Sequence, residues 1–468
     1  MKKFLTILLV ALFAFSLAAC KNNNVDTEDP TTPVDTPDPQ NNGQRIDFGD
    51  SLIQKTSIRV WIDDEEGEYM EAVIAEFNKV YPNIVVRHQH MGTVDSRELL
   101  KTFGPSGNGA DVFQFPHDHL AQAILEDLVY ALPNSTKTLL EQRSHELGLS
   151  IATLSYDETA NSFDPQSPNA VERLYAVPMS IESIGLYYNK DLVTTPHTSY
   201  EALLAAAATW NAEVAADNAV GDTRTNAQKG YFYLGNSSHW ADSYFVQHIY
   251  SAFGFYPFGA TLDNPNAVGF ANAVPALTWM VNTLKPHVTG TGAHNSVTAG
   301  ANFETGKIPY IITGPWSNEA FKNAGINYGV APMPTINVGG VDKATSTFAG
   351  AQMAAVYKYT ENAADAIRFV EFLSSDVAMK LQYEMKGKLP ALQTDLLSNI
   401  PGVGDDELMM SMAAQLETSI PMPTIPQVQY YWGPGETMII QVWNNAVAPA
   451  TAAATGPWLQ QSSRLDLA

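Results

Sequence analysis

Residues able to do chemistry cluster at a few breaks in this 468-residue chain. Asp63, Asp64, Glu65 and Glu66 stand in a row directly behind the β-branched stretch 57–62, and Asp118 lies between His117 and His119 behind the stretch 110–115. Glu182 sits in the segment 178–183, between short apolar runs at 174–177 and 184–188. Trp316 follows Gly314 and Pro315, and Tyr430, Tyr431 and Trp432 precede Gly433 and Pro434. A Trp directly after a strand-ending Gly-Pro belongs at a pocket rim. Three consecutive aromatics cannot all be buried on one side of a strand or helix. Asp242 and Tyr244 open a stretch dense in aromatic residues whose other rings, at helical spacing, read as core.

What these loops share is carboxylates and displayed rings. Ionised carboxylates accept strong hydrogen bonds from vicinal hydroxyls, and the C–H face of a pyranose stacks on an aromatic plane, so the pairing points to a neutral oligosaccharide. Plainer uses compete at each position. Glu182 could be an ordinary solvated side chain on a surface loop; if it faces a cleft it needs hydroxyl, amide or cationic partners, because an unpaired buried carboxylate costs several kcal/mol. Asp63 or Asp64 can cap the helix that follows, but four acids exceed what a cap requires, which leaves Glu65 as the site candidate. The pairs His88/His90 and His117/His119 have the spacing of zinc ligands on an extended segment. With no thiolate and no fourth ligand they read as ordinary surface histidines. Phosphate-cradling glycine loops, zinc-protease helices and nucleophile elbows do not occur in the sequence, so no catalytic residue, metal or cofactor is expected.

The elements that must position these residues alternate. A strand at 57–62, helical spacing through Tyr69, Met70, Val73, Phe77 and Val80, a strand at 84–87, a second helical stretch and a strand at 110–115 indicate parallel βαβ units. Ligands of open parallel sheets bind beyond the carboxyl ends of the strands, which is where the runs 63–66 and 116–119 lie. The segment 173–192 reads as a crossing from one lobe to another with a loop at 178–183. The segment 347–356 reads as a second crossing.

The ends and the composition set the frame. Met1-Lys2-Lys3, an uncharged run to Ala19 and then Cys20 read as a signal peptide, with Leu17, Ala18 and Ala19 resembling the lipobox that precedes an acylated cysteine. Cys20 is the only cysteine, so the folded body relies on packing rather than disulfides. Residues 21–50 are mostly Asn, Asp, Thr and Pro and cannot bury enough surface to order. A tether of roughly 30 residues at ~3.1 Å each reaches up to about 90 Å. The remainder is long for one compact core and is 45% hydrophobic over the whole chain, so two lobes are expected. A net charge of -23 argues against nucleic acid and against direct adhesion to anionic lipid head groups. The expected partition is signal peptide 1–19, lipidated Cys20 and tether 20–50, a first lobe of 51–180 and 347–400, and a second lobe of 181–346 and 401–468.

From Ser57 onward the chain resembles bacterial ABC-transporter solute-binding proteins of the maltose/maltodextrin-binding class. The resemblance rests on Val60-Trp61-Ile62, the block 178–192 with Glu182 and Tyr188-Asn189-Lys190-Asp191-Leu192, Gly314-Pro315-Trp316, Asn327-Tyr328-Gly329-Val330, and Met422-Pro423-Thr424-Ile425-Pro426-Gln427. It implies a two-lobed, type II periplasmic-binding-protein-like α/β fold, each lobe a mainly parallel sheet flanked by helices, with three crossings. It also implies a lipid-anchored monomer on the outer face of the cell membrane that closes over sugar and delivers it to a membrane permease. By this resemblance the sugar-contacting residues are Glu65, Phe115, Asp118, Glu182, Trp316 and Trp432, with Asp242 and Tyr244. Phe115 replaces the family's Trp, His119 a basic residue, Glu66 a lysine and Glu436 an arginine, replacements that bear on the exact sugar and on linear against cyclic preference. A surface glycoside hydrolase, which also needs carboxylates and aromatics, is the rival from another class.

Overall fold

The computed structural model describes residues 56–219, 233–264, 269–288 and 296–455. The expected signal peptide, Cys20 and the tether lie outside the described residues. In chain order the strands are β1 (Thr56–Ile62), β2 (Ile84–His90), β3 (Val112–Pro116), β4 (Thr153–Tyr156), β5 (Val171–Leu174), β6 (Val177–Ser183), β7 (Gly185–Asn189) and β8 (Leu234–Asn236). They continue with β9 (Tyr310–Thr313), β10 (Tyr328–Ala331), β11 (Ile336–Val338), β12 (Val341–Lys343), β13 (Phe348–Val356), β14 (Leu389–Pro390) and β15 (Ile420–Pro421).

Two sheets carry the two lobes. The first has seven strands in the order β14-β6-β13-β3-β1-β2, with β15 beside β13, and the second has four in the order β10-β7-β9-β8. The parallel pairing expected at the start of the chain holds for β1 with β2 and with β3. Elsewhere the sheets are mixed rather than mainly parallel: β13 runs antiparallel to both β3 and β6, and β7 runs antiparallel to both β9 and β10. Parallel neighbours need a crossover helix between them. Because β6 leaves for the second lobe and β13 arrives from it, nothing forces either to follow β3 in parallel.

The helix Glu68–Val80 shows how the first lobe is built. Gly67 enters it at a φ of 81°, and Tyr69, Met70, Val73 and Phe77, spaced by three and four, are buried against the sheet. Asp64 caps its first turn, accepting from Met70 N at 2.9 Å.

The crossing itself departs from expectation. Residues 178–183 are not a loop but the body of β6, seven consecutive buried residues flanked by β13 and β14. Pro178, Ser180, Glu182 and Ser183 interrupt the apolar pattern and so mimic a break. In the sheet they lie in register with β13 and β14, and Ser183 Oγ donates to Phe348 O at 2.7 Å. The chain changes sheets at Ile184, the one residue between β6 and β7, so a lobe boundary at 180/181 would cut a strand. β13 brings the chain back, and after β15 it leaves again for the helix Trp432–Trp443, giving three crossings.

Alternation along β7 and β9 divides the second sheet's faces: Leu186, Tyr188, Tyr310 and Ile312 pack into the second core, while Tyr187 and Ile311 face the first. The helix Glu407–Glu417, placed in the second lobe by the sequence partition, buries Met409 and Met412 in that first core.

Candidate functional site

Where the lobes meet, a cavity of about 540 Å³ is lined by Asp63, Asp118, Glu182, Tyr244, Trp316 and Trp432 together with His117, His119, Gln352 and Lys388. A larger groove of about 990 Å³ is lined by first-lobe residues including Tyr130, Tyr156 and Tyr175, but its charged side chains satisfy one another. Asp127 takes Lys358 and Tyr359 there, and Arg173 pairs with Glu158. The cavity between the lobes is where candidates from distant segments converge.

Glu182 is 8% exposed at the cavity end of β6. Its Oε1 accepts from Gln352 Nε2 at 2.6 Å, while Oε2 is buried without a partner. Gln352 on β13 also accepts from Gln114 Nε2 on β3 at 3.4 Å, and Gln114 Oε1 in turn accepts from Asp63 N at 3.0 Å. A line of amides therefore runs across the sheet from the Glu182 carboxylate to the backbone of Asp63.

Asp118 comes from the turn after β3, 5% exposed. Trp432 Nε1 donates to its Oδ2 at 3.1 Å, and Gln429 Nε2 donates to its backbone O at 2.9 Å and to Oδ2 at 3.1 Å. These bonds tie the first lobe to the helix Trp432–Trp443 of the second. The ring of Trp316 is 43% exposed and stands 6.4 Å from Tyr244 and 6.2 Å from Phe245 by centroid. Tyr244 stacks on Phe348 at 6.1 Å and meets Trp432 edge-on at 6.4 Å. Burial pushes the Tyr244 phenol well above its usual range, reinforced by the charges of Glu182, Asp118 and Asp242, so it stays a neutral donor. Of the three consecutive aromatics, Tyr431 is core and Trp432 reaches the cavity.

Three sequence candidates do not line it. Glu65 is exposed outside the cavity, because Asp63 takes the cavity side of the turn and Asp64 turns inward to the helix and to Lys386 Nζ at 2.8 Å. Phe115 is fully buried in the first core, stacked on Phe113 at 5.0 Å; both sit on one face of β3, and the chain does not leave the strand until Pro116. Asp242 is consumed by its own turn, accepting from Tyr244 N at 2.8 Å, Phe245 N at 3.2 Å and Ser238 Oγ at 2.5 Å. Glu436 also lies outside the lining and pairs with His239 at 3.0 Å.

The histidines of the turn are buried rather than surface groups: His117 is 1% and His119 9% exposed. His117 Nε2 donates to Met422 O at 3.2 Å and Nδ1 accepts from Ala351 N at 3.3 Å, which fixes one neutral tautomer. Burial holds both imidazoles below their usual range. The ring fits because position 350 is Gly; a Cβ there would lie 2.8 Å from it. Spacing suggested metal ligands or solvent, and nothing in the residue types signalled that β13 would close over them. Among the described residues no group of His, Cys, Asp and Glu has metal-ligating geometry.

The lobes also touch beside the cavity. Lys386 Nζ, at the end of the helix Asp376–Lys386, bridges Asp64 of the first lobe at 2.8 Å and Glu319 of the second at 2.9 Å. Asn318 Nδ2 donates across the same seam to Gly387 O at 2.7 Å.

Both the chain and its fold have relatives. The chain is 26% identical over 464 residues to the galactooligosaccharide-binding protein of Bacillus subtilis (strain 168), covering 96% of this chain and 94% of that one. It is 26% identical over 415 residues to the maltooligosaccharide ABC transporter solute-binding lipoprotein of Streptococcus pneumoniae serotype 4, covering 87% and 88%. Among solved structures, the maltose-maltodextrin binding protein of Alicyclobacillus acidocaldarius superposes with a TM-score of 0.68 at 23% identity, covering 87% of this chain and all of that one. MalX from Streptococcus pneumoniae in complex with maltopentaose gives 0.68 at 24% identity, covering 87% and 98%. These likenesses establish the fold. The family model described as bacterial extracellular solute-binding protein matches residues 63–380, so the chain belongs to the bacterial extracellular solute-binding protein family.

Proposed function

We propose that this protein captures a neutral oligosaccharide between its lobes and delivers it to the permease of an ABC importer, without catalysis. One observation carries this reading: Trp316, Tyr244 and Trp432 converge with Glu182 and Asp118 on a single cavity between the lobes. Rings supply faces for pyranose C–H groups, and buried acceptors match sugar hydroxyls. The relatives' names, one for galactooligosaccharide and one for maltooligosaccharide, agree on the ligand class and differ on the sugar. Calorimetric titration with maltotriose, maltotetraose, a galacto-oligosaccharide and a xylo-oligosaccharide tests the reading, and heat of binding from at least one is the expected result. Shortened products after incubation would instead support the glycoside hydrolase, whose two carboxyls must stand about 5 to 10 Å apart across the scissile bond.

The body is proposed to be held at the outer face of the membrane by acylated Cys20, as a monomer. Cys20→Ser should move the protein from washed membranes to the soluble fraction with unchanged sugar affinity, since two or more acyl chains at ~0.8 kcal/mol per buried CH₂ provide the anchoring. Retention of the variant in the membranes would reject the lipobox.

A further inference from the structure

We infer that Lys388, together with Glu182, reads one vicinal diol of the bound sugar, as a donor just before β14 and an acceptor on the neighbouring β6. This deepens the oligosaccharide reading and rests on it. The helix Asp376–Lys386 ends at Gly387, whose φ of 59° turns the chain sharply. The turn separates two lysines: Lys386 goes to Asp64 and Glu319, and Lys388 lines the cavity. β14 then pairs antiparallel with β6, Leu389 opposite Ile181 and Pro390 opposite Ser180. One step back along that register sets Lys388 opposite Glu182, and residues directly opposite in an antiparallel pair share a face.

Opposite charges so placed would be expected to join, yet no carboxylate of the described residues lies within ion-pair distance of the Lys388 ammonium. Glu182 keeps its Oε1 on Gln352, and its Oε2 is buried without a partner. Asp118 Oδ2 accepts from Trp432 and Gln429, and Asp63 lies 3.5 Å from His90. Glu182 Oε2 and the Lys388 ammonium thus stand beside the cavity as an acceptor and a donor on one face. Adjacent hydroxyls of a pyranose satisfy them in turn: one donates to Glu182 Oε2, and the oxygen of its neighbour accepts from Lys388 Nζ. An isolated anion would suit Lys388 but not the carboxylate beside it.

The test is calorimetric titration of wild type, Lys388→Met, Lys388→Arg, Glu182→Gln and the Lys388→Met/Glu182→Gln double variant with maltotriose, a galactotriose and trigalacturonate, with a ligand-free melt of each. Lys388→Met should weaken the neutral ligand that wild type binds by about tenfold or more, as expected for a hydrogen bond from a charged donor. Lys388→Arg, which keeps a donor, should recover part of that affinity. The double variant should lose less than the product of the single losses, because both groups hold one diol. Lys388→Met binding within about twofold of wild type, or multiplicative losses in the double variant, would overturn the diol clamp and leave the oligosaccharide reading standing. Tighter binding of trigalacturonate than of either neutral sugar would also overturn it. Wild type taking neither these three nor maltotetraose nor a xylo-oligosaccharide would overturn the oligosaccharide reading itself.

Discussion

At the scale of single residues, strand register decides which of the candidate side chains reach the cavity. Glu182, Asp118, Tyr244, Trp316 and Trp432 all line the cavity, whereas Glu65 misses it by two positions, behind Asp63, and Phe115 by one, before Pro116. Side chains alternate along an extended chain, so a shift of one residue at a strand's exit exchanges cavity for core, and composition holds no record of that shift. Lys388 was invisible for another reason: its place depends on a left-handed glycine and on pairing with a strand some two hundred positions earlier. Trp316 offers the plainest test at this scale. Its ring is 43% exposed, beside Gly314, where an added Cβ would lie 2.3 Å from it. Trp316→Ala should weaken sugar binding by about 30-fold, the ~2 kcal/mol of a central aromatic anchor, and leave the ligand-free melting temperature within a few degrees. Gly314→Ala should reproduce much of the affinity loss by driving the ring out of place. A large drop in melting temperature with near-normal affinity for Trp316→Ala would mean that the ring is structural.

Among elements, strands and helices with strong periodicity were legible, and the segment 178–183 was not. Polar residues on β6 resemble a loop until β13 and β14 on either side supply their partners, and those partners come from far along the chain. Helix pairing in the second lobe hides another polar group that sequence could not place. His248, 2% exposed, donates from Nδ1 to Phe245 O at 2.6 Å and accepts from Tyr200 Oη at 2.7 Å, which joins the helix Gln247–Ala252 to the helix that begins at Tyr200. Burial pushes its imidazole down from 6.5 to about 4. A base with a depressed folded pKa stabilises the fold fully above its unfolded pKa and loses that contribution as pH falls from about 6.5 toward 4. The gap corresponds to up to about 3 kcal/mol at 1.36 kcal/mol per pKa unit. His248→Gln should therefore be less stable than wild type at pH 7 but show a flatter decline to pH 4.5 in chemical denaturation. Parallel profiles would exclude His248 as a source of the acid sensitivity.

For the whole molecule, two lobes and three crossings followed from length, alternation and resemblance, but the contacts that hold the lobes together could not be inferred, because each joins segments remote in sequence. Lys386 is the clearest case, held by Asp64 in one lobe and Glu319 in the other. We propose that the lobes part to admit sugar and close over it. A ligand that contacts both lobes only when they are closed has the differential affinity that such a shift requires. The two arms of Lys386 contribute differently. Asp64 is 1% exposed at its side chain, so Lys386→Met would strand a buried carboxylate and destabilise the first lobe, at about 3–5 kcal/mol for a broken buried pair. Glu319 is 40% exposed, and Glu319→Gln weakens only the arm that crosses the seam. An exposed pair contributes about 0.2–1 kcal/mol, so Glu319→Gln should reduce sugar affinity by at most about fivefold, with the melting temperature nearly unchanged. Small-angle scattering should show wild type compacting at saturating sugar. The ligand-free Glu319→Gln variant should be at least as expanded as ligand-free wild type, and saturating sugar should bring it to the same compact radius. A radius that sugar leaves unchanged in both proteins would refute closure, whereas compaction with unaltered affinity in the variant would refute only the role of the Lys386 seam.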